Sequence, residues 1–359
     1  MSNGGRFQQL ILKRALAAGA SFGELTFGTF AGLEAVQWLD VFAAFQRSSS
    51  HILNGSELRA GAPTTTDLLE LCSKSLVTPT NSSQAKKFFQ DNFTPVRICS
   101  EASGAGFLTG YYEPVIDADV APSDKFKAPI LAFPDYLGPR GTAHLLPRSE
   151  IEKLSDYAEP LVWVRDPIEA FMVQVQGSAR LRMADGRLMQ LVYDGRNGHP
   201  YTSIGRILID EGCVDEKDMS LQVLKRWFRD AGQDIGQLGR DIMWRNASFI
   251  FFRLEPAGAS GPIGGQGIPL QPLVSLAVDR NIWPYGTPVL LSGDLSAASS
   301  GWEGFCRVLI AQDTGSAIIG PARGDLYVGS GDQAGTIAGR VRHKIEFVVL
   351  APKAQLVTE

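Results

Sequence analysis

Ala311-Gln312-Asp313-Thr314-Gly315-Ser316-Ala317-Ile318-Ile319-Gly320, followed by Gly324-Asp325-Leu326-Tyr327-Val328-Gly329, places two carboxylates at the ends of short apolar runs within one span. Upstream, Ser275-Leu276-Ala277-Val278-Asp279 leads into Ile282-Trp283-Pro284-Tyr285-Gly286-Thr287-Pro288, a second strand-turn-strand unit with an aspartate at its bend. Any one of these aspartates reads as a turn former, because Asp bonds its own backbone two residues on. The three together, in comparable settings, are what point to chemistry. Strand candidates surround them at Thr287 to Leu291, Arg307 to Ala311, Leu326 to Val328 and Ile345 to Leu350, and several short strands with regular turns predict a compact barrel.

Moving towards the N-terminus, a Gly/Pro-rich loop lies between Pro256 and Pro272. Such a loop joins domains or brings bare backbone close to a ligand. Phe249 to Leu254 reads as a strand, and so does the alternation of Phe171, Val173 and Val175 with Met172, Gln174 and Gln176. Asp185-Gly186, between Leu181-Arg182-Met183 and the run Arg187 to Tyr193, signals a hairpin. One helix is expected from Ser203, with Ile204, Ile207 and Leu208 on a face and Gly212 as its stop; another carries Leu221, Leu224 and Phe228. Strands dominate from Gly106 onward. The first hundred residues read as helical, with Trp38, Leu39, Phe42 and Phe45 at helical spacing, Leu68, Leu69 and Cys72 after a Thr-rich start, and Ser83 capping the segment of Phe88 and Phe89.

Composition excludes several classes. With 359 residues, 44% hydrophobic and 20% charged, the chain is long enough for two globular domains. Its net charge of -4 and scattered Lys and Arg give no footprint for nucleic acid. No apolar run approaches the roughly 20 residues of a membrane span. Arg6, Lys13 and Arg14 interrupt the short apolar stretch Leu10-Ile11-Leu12, which makes a poor signal peptide, and the first cysteine is Cys72, too late to carry a lipid anchor. Cys72, Cys99, Cys213 and Cys306, and His51, His144, His199 and His343, are dispersed without ligand spacing. Buried thiols or one disulfide are expected, and no metal.

Asp279, Asp313 and Asp325 in these contexts resemble the three-aspartate domain at the C-terminus of the murein transglycosylase A family. Gly106-Phe107-Leu108-Thr109-Gly110-Tyr111-Tyr112-Glu113-Pro114 is similar to that family's signature loop. Gln174 to Arg180, Tyr193 to Gly205 and Asn246 to Phe252 are similar to further family motifs, so the resemblance runs from about Phe107 to Leu350. Ser316 stands where the family often has glycine, and the signal peptide and lipid-anchoring cysteine of many members have no counterpart. The resemblance implies a mainly β fold with N-terminal α-helices: a double-psi β-barrel domain plus an inserted β-barrel-like domain. The large domain would take residues 1–114 and 246–359, and the insert residues 115–245, with the cleft between them binding substrate.

The same resemblance implies a lytic transglycosylase acting on peptidoglycan glycan strands. Ordinary glycosidases use two carboxylates. Here the muramyl sugar's own 6-hydroxyl attacks the anomeric carbon, so one acid, Asp325, handles both proton transfers. Its pKa must be raised, and Asp313 is a candidate neighbour as well as a structural tie, with Asp279 in support. Thr109, Gly110, Tyr111, Gln176 and Ser178 are the expected substrate contacts, and His199 is expected to be structural. No cofactor is implied. The expected state is a monomer in the periplasm, open to a cell-wall enzyme complex. Two rival readings remain. Asp313-Thr314-Gly315 also marks aspartic peptidases, but those need a second such motif, and Asp185-Gly186 and Asp194-Gly195 lack the intervening hydroxyl residue. The other is a module that binds glycan without cutting it.

Overall fold

The computed structural model describes residues 8–55, 57–137, 145–258 and 260–353; Arg6 and His144 lie outside them. The strands are β1 (Ala20–Glu24), β2 (Phe93–Ser100), β3 (Gly106–Glu113), β4 (Val115–Asp119), β5 (Ala128–Leu131), β6 (Pro160–Val164), β7 (Ala179–Met183), β8 (Leu188–Arg196), β9 (Ile250–Pro256), β10 (Ser275–Val278), β11 (Pro288–Gly293), β12 (Phe305–Asp313), β13 (Arg323–Ser330) and β14 (Arg342–Pro352). The helices are α1 (Lys13–Ala17), α2 (Trp38–Asn54), α3 (Thr66–Lys74), α4 (Ser82–Asn92), α5 (Arg148–Ile151), α6 (Pro167–Gln176), α7 (Ile204–Asp210), α8 (Leu221–Asp230), α9 (Leu238–Trp244) and α10 (Gly331–Ala338). The fold is therefore mixed helix and sheet, with two sheets, where the sequence suggested a mainly β chain. Two compact units divide it: one runs up to Tyr111, resumes over Ile263–Gly329 and again from Ile337; the other comprises Tyr112–Pro262 and Ser330–Thr336. The boundaries differ from those read in the sequence, since β9, placed there in the large domain, pairs with β8.

In the first unit eight strands run in the order β1-β2-β14-β11-β12-β10-β13-β3, and β14 also pairs with β3, closing six of them into a ring. The eleven-residue β14 achieves this by splitting its partners. Arg342 to Ile345 face β3, whereas Phe347 to Pro352 face β2. The pairing of β10 with β12 is parallel, and the other registers resolved in this sheet are antiparallel. All four residues of β10 are buried, so it reads as a continuous apolar run without alternation. The helices α2 and α4 pack through Trp38, Phe42, Phe45, Phe88 and Phe89, joined by Phe93 at the start of β2, with ring centroids 5.1 to 6.4 Å apart. Asn81, not Ser83, caps α4: its side chain accepts from Gln84 N at 3.0 Å, because the chain is still extended at residue 81 and already helical at 83. Buried polar groups tie α2 to the ring. Gln312 donates to Ala44 O at 3.0 Å and Ser48 Oγ at 2.8 Å and accepts from Ser275 at 2.6 Å, while Ser48 donates to Gln266 at 2.9 Å.

The second unit has six strands in the order β5-β6-β4-β7-β8-β9, curled so that Ala132, just beyond β5, bridges Phe252 of β9. Asp185-Gly186 forms the expected hairpin turn between β7 and β8, with Gly186 at φ +86°. Ser203 caps α7 by accepting from Arg206 N at 3.2 Å, and Gly212 follows it at φ +69°. The segment read as a strand at 171–176 is instead the helix α6. Asp166 caps it by accepting from Glu169 N at 3.0 Å, Pro167 starts it, and Gly177 ends it in the left-handed region. Ala170 and Val173 pack on the sheet, whereas Ile168, Phe171 and Met172 pack among α7, α8 and α9. Burial on both sides removes the one-sided period of 3.6 residues that would have identified a helix.

Arg148, 1% exposed, is the hub of this unit. Its guanidinium donates to Gln174 Oε1 (2.6 Å), Ser248 O (2.7 Å), Asn246 O (3.1 Å) and Glu152 (2.9 Å), and lies 4.4 Å from the Phe171 ring. Glu152 is held in turn by Arg240 at 2.6 Å and Trp244 at 2.8 Å. Arg148→Ala should lower the stability of this unit by about 3 kcal/mol, because it strands several buried acceptors and a carboxylate. A urea midpoint indistinguishable from wild type would contradict that role.

Candidate active site

Local chain geometry presents Asp325 from β13, where it pairs opposite Ala277 of β10, and β13 neighbours β3. Thr109 of β3 donates its hydroxyl to Asp325 Oδ1 at 2.5 Å and accepts from Arg323 Nη2 at 2.7 Å. Arg323 and Asp325 are two apart on one strand and so share a face. Among the described residues Oδ2 of Asp325 accepts no hydrogen bond. The side chain is half-buried, so a proton on it is within reach of a ligand.

The carboxyl of Asp325 is pushed up to about 6 from an ordinary 3.8. Burial is the main cause, and the negative charge of Asp313 adds to it; the Thr109 hydrogen bond and the Arg323 charge oppose it. Burial therefore outweighs a cation two residues away. Burial also holds the guanidinium of Arg323 below its usual range, with Asp325 pulling the other way.

Asp313 is arranged differently. Its Oδ1 accepts from Gly265 N at 2.7 Å and Thr314 N at 2.8 Å, and its Oδ2 from the Tyr111 hydroxyl at 2.7 Å. Tyr111, tilted against Tyr327 with centroids 5.4 Å apart, has its hydroxyl held well above the usual range, first by burial and then by Asp313. The Gly/Pro-rich loop thus brings bare backbone to the Asp313 side chain. A Cβ at Gly265 would lie 2.6 Å from the Tyr285 hydroxyl, so no larger residue fits there. Asp279, 5% exposed, ties a bend: Oδ1 accepts from Asn281 N at 3.0 Å and Oδ2 from Gly320 N at 2.8 Å.

Of the residues singled out in the sequence, Thr109 and Asp325 bond directly, Tyr111 reaches Asp313, and Asp279 lies at the end of β10 beside the same strands. A Cβ at Gly110 would lie 3.1 Å from Ala338 and Val341, which gives that glycine a packing role. Gln176 and Ser178 belong to the second unit, where Gln176 Oε1 accepts from Tyr112 N at 3.2 Å and Ser178 is buried. His199 Nε2 donates to Leu145 O at 2.8 Å, a structural contact. The four cysteines are free. Sequence reading overlooked Arg323, although its i,i+2 spacing from Asp325 was a usable signal. It also overlooked Glu113. That carboxylate, fully buried, accepts from Ser330 at 2.6 Å and Gln190 at 3.1 Å and lies 3.4 Å from Arg180, with burial raising its pKa. It thereby staples the last residue of β3 to the last residue of β13.

Residues 107–253 match the family described as MltA specific insert domain, and residues 274–351 that described as 3D domain. The membrane-bound lytic murein transglycosylase A of Vibrio cholerae is 35% identical over 248 residues, 68% of this chain and 64% of that protein. The match thus spans a little under two thirds of that relative's length. A crystal structure of a membrane-bound lytic murein transglycosylase from Agrobacterium tumefaciens is similar at a TM-score of 0.81 and 32% identity, covering 92% of this chain and 98% of that one. E. coli MltA with bound chitohexaose is similar at 0.64 and 27% identity, covering 92% of each chain. On these grounds the chain belongs to the membrane-bound lytic murein transglycosylase A family.

Proposed function

We propose that this protein cleaves the glycan strands of peptidoglycan between the muramyl sugar and the next N-acetylglucosamine, as a lytic transglycosylase with Asp325 as its single acid. The observation that carries this reading is the contrast between the two carboxylates. Asp325 has a raised pKa and a free oxygen, whereas both oxygens of Asp313 are occupied by three donors. A hydrolase needs a second carboxylate free to activate water or attack the sugar, and Asp313 is not free. An aspartic peptidase is disfavoured for the same reason, since its two carboxylates must share a proton.

In the proposed reaction Asp325 donates its proton to the glycosidic oxygen as the bond to the anomeric carbon breaks. The muramyl 6-hydroxyl then attacks that carbon, and the Asp325 carboxylate takes its proton. A 1,6-anhydro ring forms, no water is consumed, and the acid returns to its starting state. Asp313 and Asp279 hold the surrounding backbone, and Arg323 and Thr109 steady the carboxylate between the two transfers. Tyr111 and Gly110 beside the acid, with Gln176 and Ser178 from the insert, are the proposed sugar contacts. That a relative's structure holds chitohexaose supports an extended oligosaccharide as ligand. The closed six-strand ring with its parallel β10 and β12 fits a double-psi barrel, and the division of the chain fits a large domain with an insert. Intact murein lies outside the cytoplasmic membrane, so the proposed location is the periplasm. Among the described residues no helix is long and apolar enough to cross a membrane.

Digestion of purified peptidoglycan, followed by mass spectrometry of the soluble fragments, tests the reaction. Wild type should release products one water lighter than hydrolytic fragments, and Asp325→Asn should lower that yield about 10³-fold while glycan binding persists. Reducing-end products would make the enzyme a hydrolase, and binding without any products would leave a glycan-binding module.

The raised pKa supplies a second test. Asp325 must be protonated to donate, so kcat/KM should be full well below pH 6, half-maximal at about pH 6, and fall tenfold per unit above it. Thr109→Val removes the hydroxyl that favours the ionised form. Its kcat/KM limb should move to higher pH, and a limb that moves down or stays would rule out Thr109 as a partner of the acid.

A further inference from the structure

A cavity of about 650 Å³ lies within the second unit. Its wall begins at Tyr112, one residue after Tyr111 on β3, and includes Glu169 of α6, Lys225 of α8 and Asp332 of α10. Five carboxylates and five cations line it, so it carries almost no net charge. Several of these charges are already paired. Asp117 lies 2.9 Å from Arg182 and 3.7 Å from Lys125, and Asp166 lies 2.7 Å from Arg229.

Asp124, Lys127 and Arg165 also line the space, and the Arg165 amide donates to Glu169 Oε2 at 3.3 Å; Tyr112, Glu169, Lys225 and Asp332 lie alongside them. Among the described residues Lys225 makes no ion pair or hydrogen bond. Burial holds its ammonium below the usual range, and Glu169 and Asp332 are among the charges it senses. Burial likewise raises Glu169 and pushes the Tyr112 hydroxyl up to about 12, the latter with Asp332 and Glu169 adding to the effect. These groups sense one another, yet Lys225 reaches neither carboxylate directly. The missing partners are an ammonium for the two acids and a carboxylate for the lysine. A phosphate ligand would call for net positive charge, and a neutral sugar would not need a buried lysine and two acids around one space.

We propose that this cavity recognises the zwitterionic end of the peptide carried by the muramyl sugar, a residue presenting a free ammonium and a free carboxylate on the same carbon. The proposal rests on peptidoglycan being the substrate. The carboxylate pairs with Lys225 and the ammonium with Glu169 and Asp332, while the phenol of Tyr112 offers one further hydrogen bond.

Calorimetric titration of the full chain with the tripeptide L-alanyl-γ-D-glutamyl-meso-diaminopimelate reads the site without any cleavage. Wild type should bind it, and Lys225→Met should weaken binding about tenfold or more, the size expected for a charge-assisted contact. Acetylating the free side-chain amine of the probe should weaken binding to wild type by a similar factor, a result that depends on no variant folding. In parallel, the kcat/KM ratio of peptide-bearing to peptide-stripped strands should fall towards one in Lys225→Met. Absence of tripeptide binding to wild type at millimolar concentration, or equal affinity for the acetylated probe, overturns the proposal and leaves glycan cleavage standing. Tripeptide binding with the expected pattern, but no cleavage of either strand, supports the peptide site and instead removes the proposed reaction.

Discussion

A carboxyl group's pKa rises where its charged form is poorly solvated, and in the first unit that condition holds at Asp325. The closed ring of six strands supplies the low-dielectric surroundings. Asp325 hangs half-buried from β13 with the Thr109 hydroxyl on one oxygen, so part of its hydration is stripped while the other oxygen remains open. Arg323 alone would drag the group back towards an ordinary carboxylate. Its guanidinium is, however, partly engaged elsewhere, donating to the Gly324 carbonyl and to Thr109, and lies 5.3 Å from the Phe107 ring. The balance of these terms leaves a pKa near 6 instead of near 4.

The other aspartates show how one residue type serves opposite ends through its partners. Asp313 and Asp279 accept hydrogen bonds from backbone amides and so tie the chain at those points. Such groups are anchors: they fix the loop of Gly265 and the bend before Trp283, whose indole donates to Pro321 O at 2.9 Å. Fixing these turns fixes where β12 and β13 begin and end, and thus where Asp325 points. The carboxylate of Glu113 does comparable work at the far end of β3 and β13.

Much was legible in local sequence. The hairpin at Asp185-Gly186, the cap at Ser203, the strands from Thr287 to Leu350 and the helices bearing Trp38, Leu68 and Phe88 all rest on neighbours within a few residues, and the structure shows each. The failures were of a different kind. α6 looked like a strand because it is buried against the sheet on one side and helices on the other, so its apolar residues show no single face. Only the i,i+4 pair of Arg148 with Glu152 is local; its three other acceptors lie 26, 98 and 100 residues away in the chain, so its role as a hub could not be read.

The sequence by itself determined the order of motifs, and with it the family, together with the identity of the three aspartates and the turns that hold them. Those features are written in contiguous residues, because turn, cap and strand preferences act over a few positions. Only the tertiary structure decided which aspartate has its pKa raised. A raised pKa is a property of surroundings: the burial of Asp325, the hydroxyl of Thr109 from 216 residues upstream, and the occupation of Asp313 by Gly265 and Tyr111. None of these contacts is local, so none could be read before the strands were brought together.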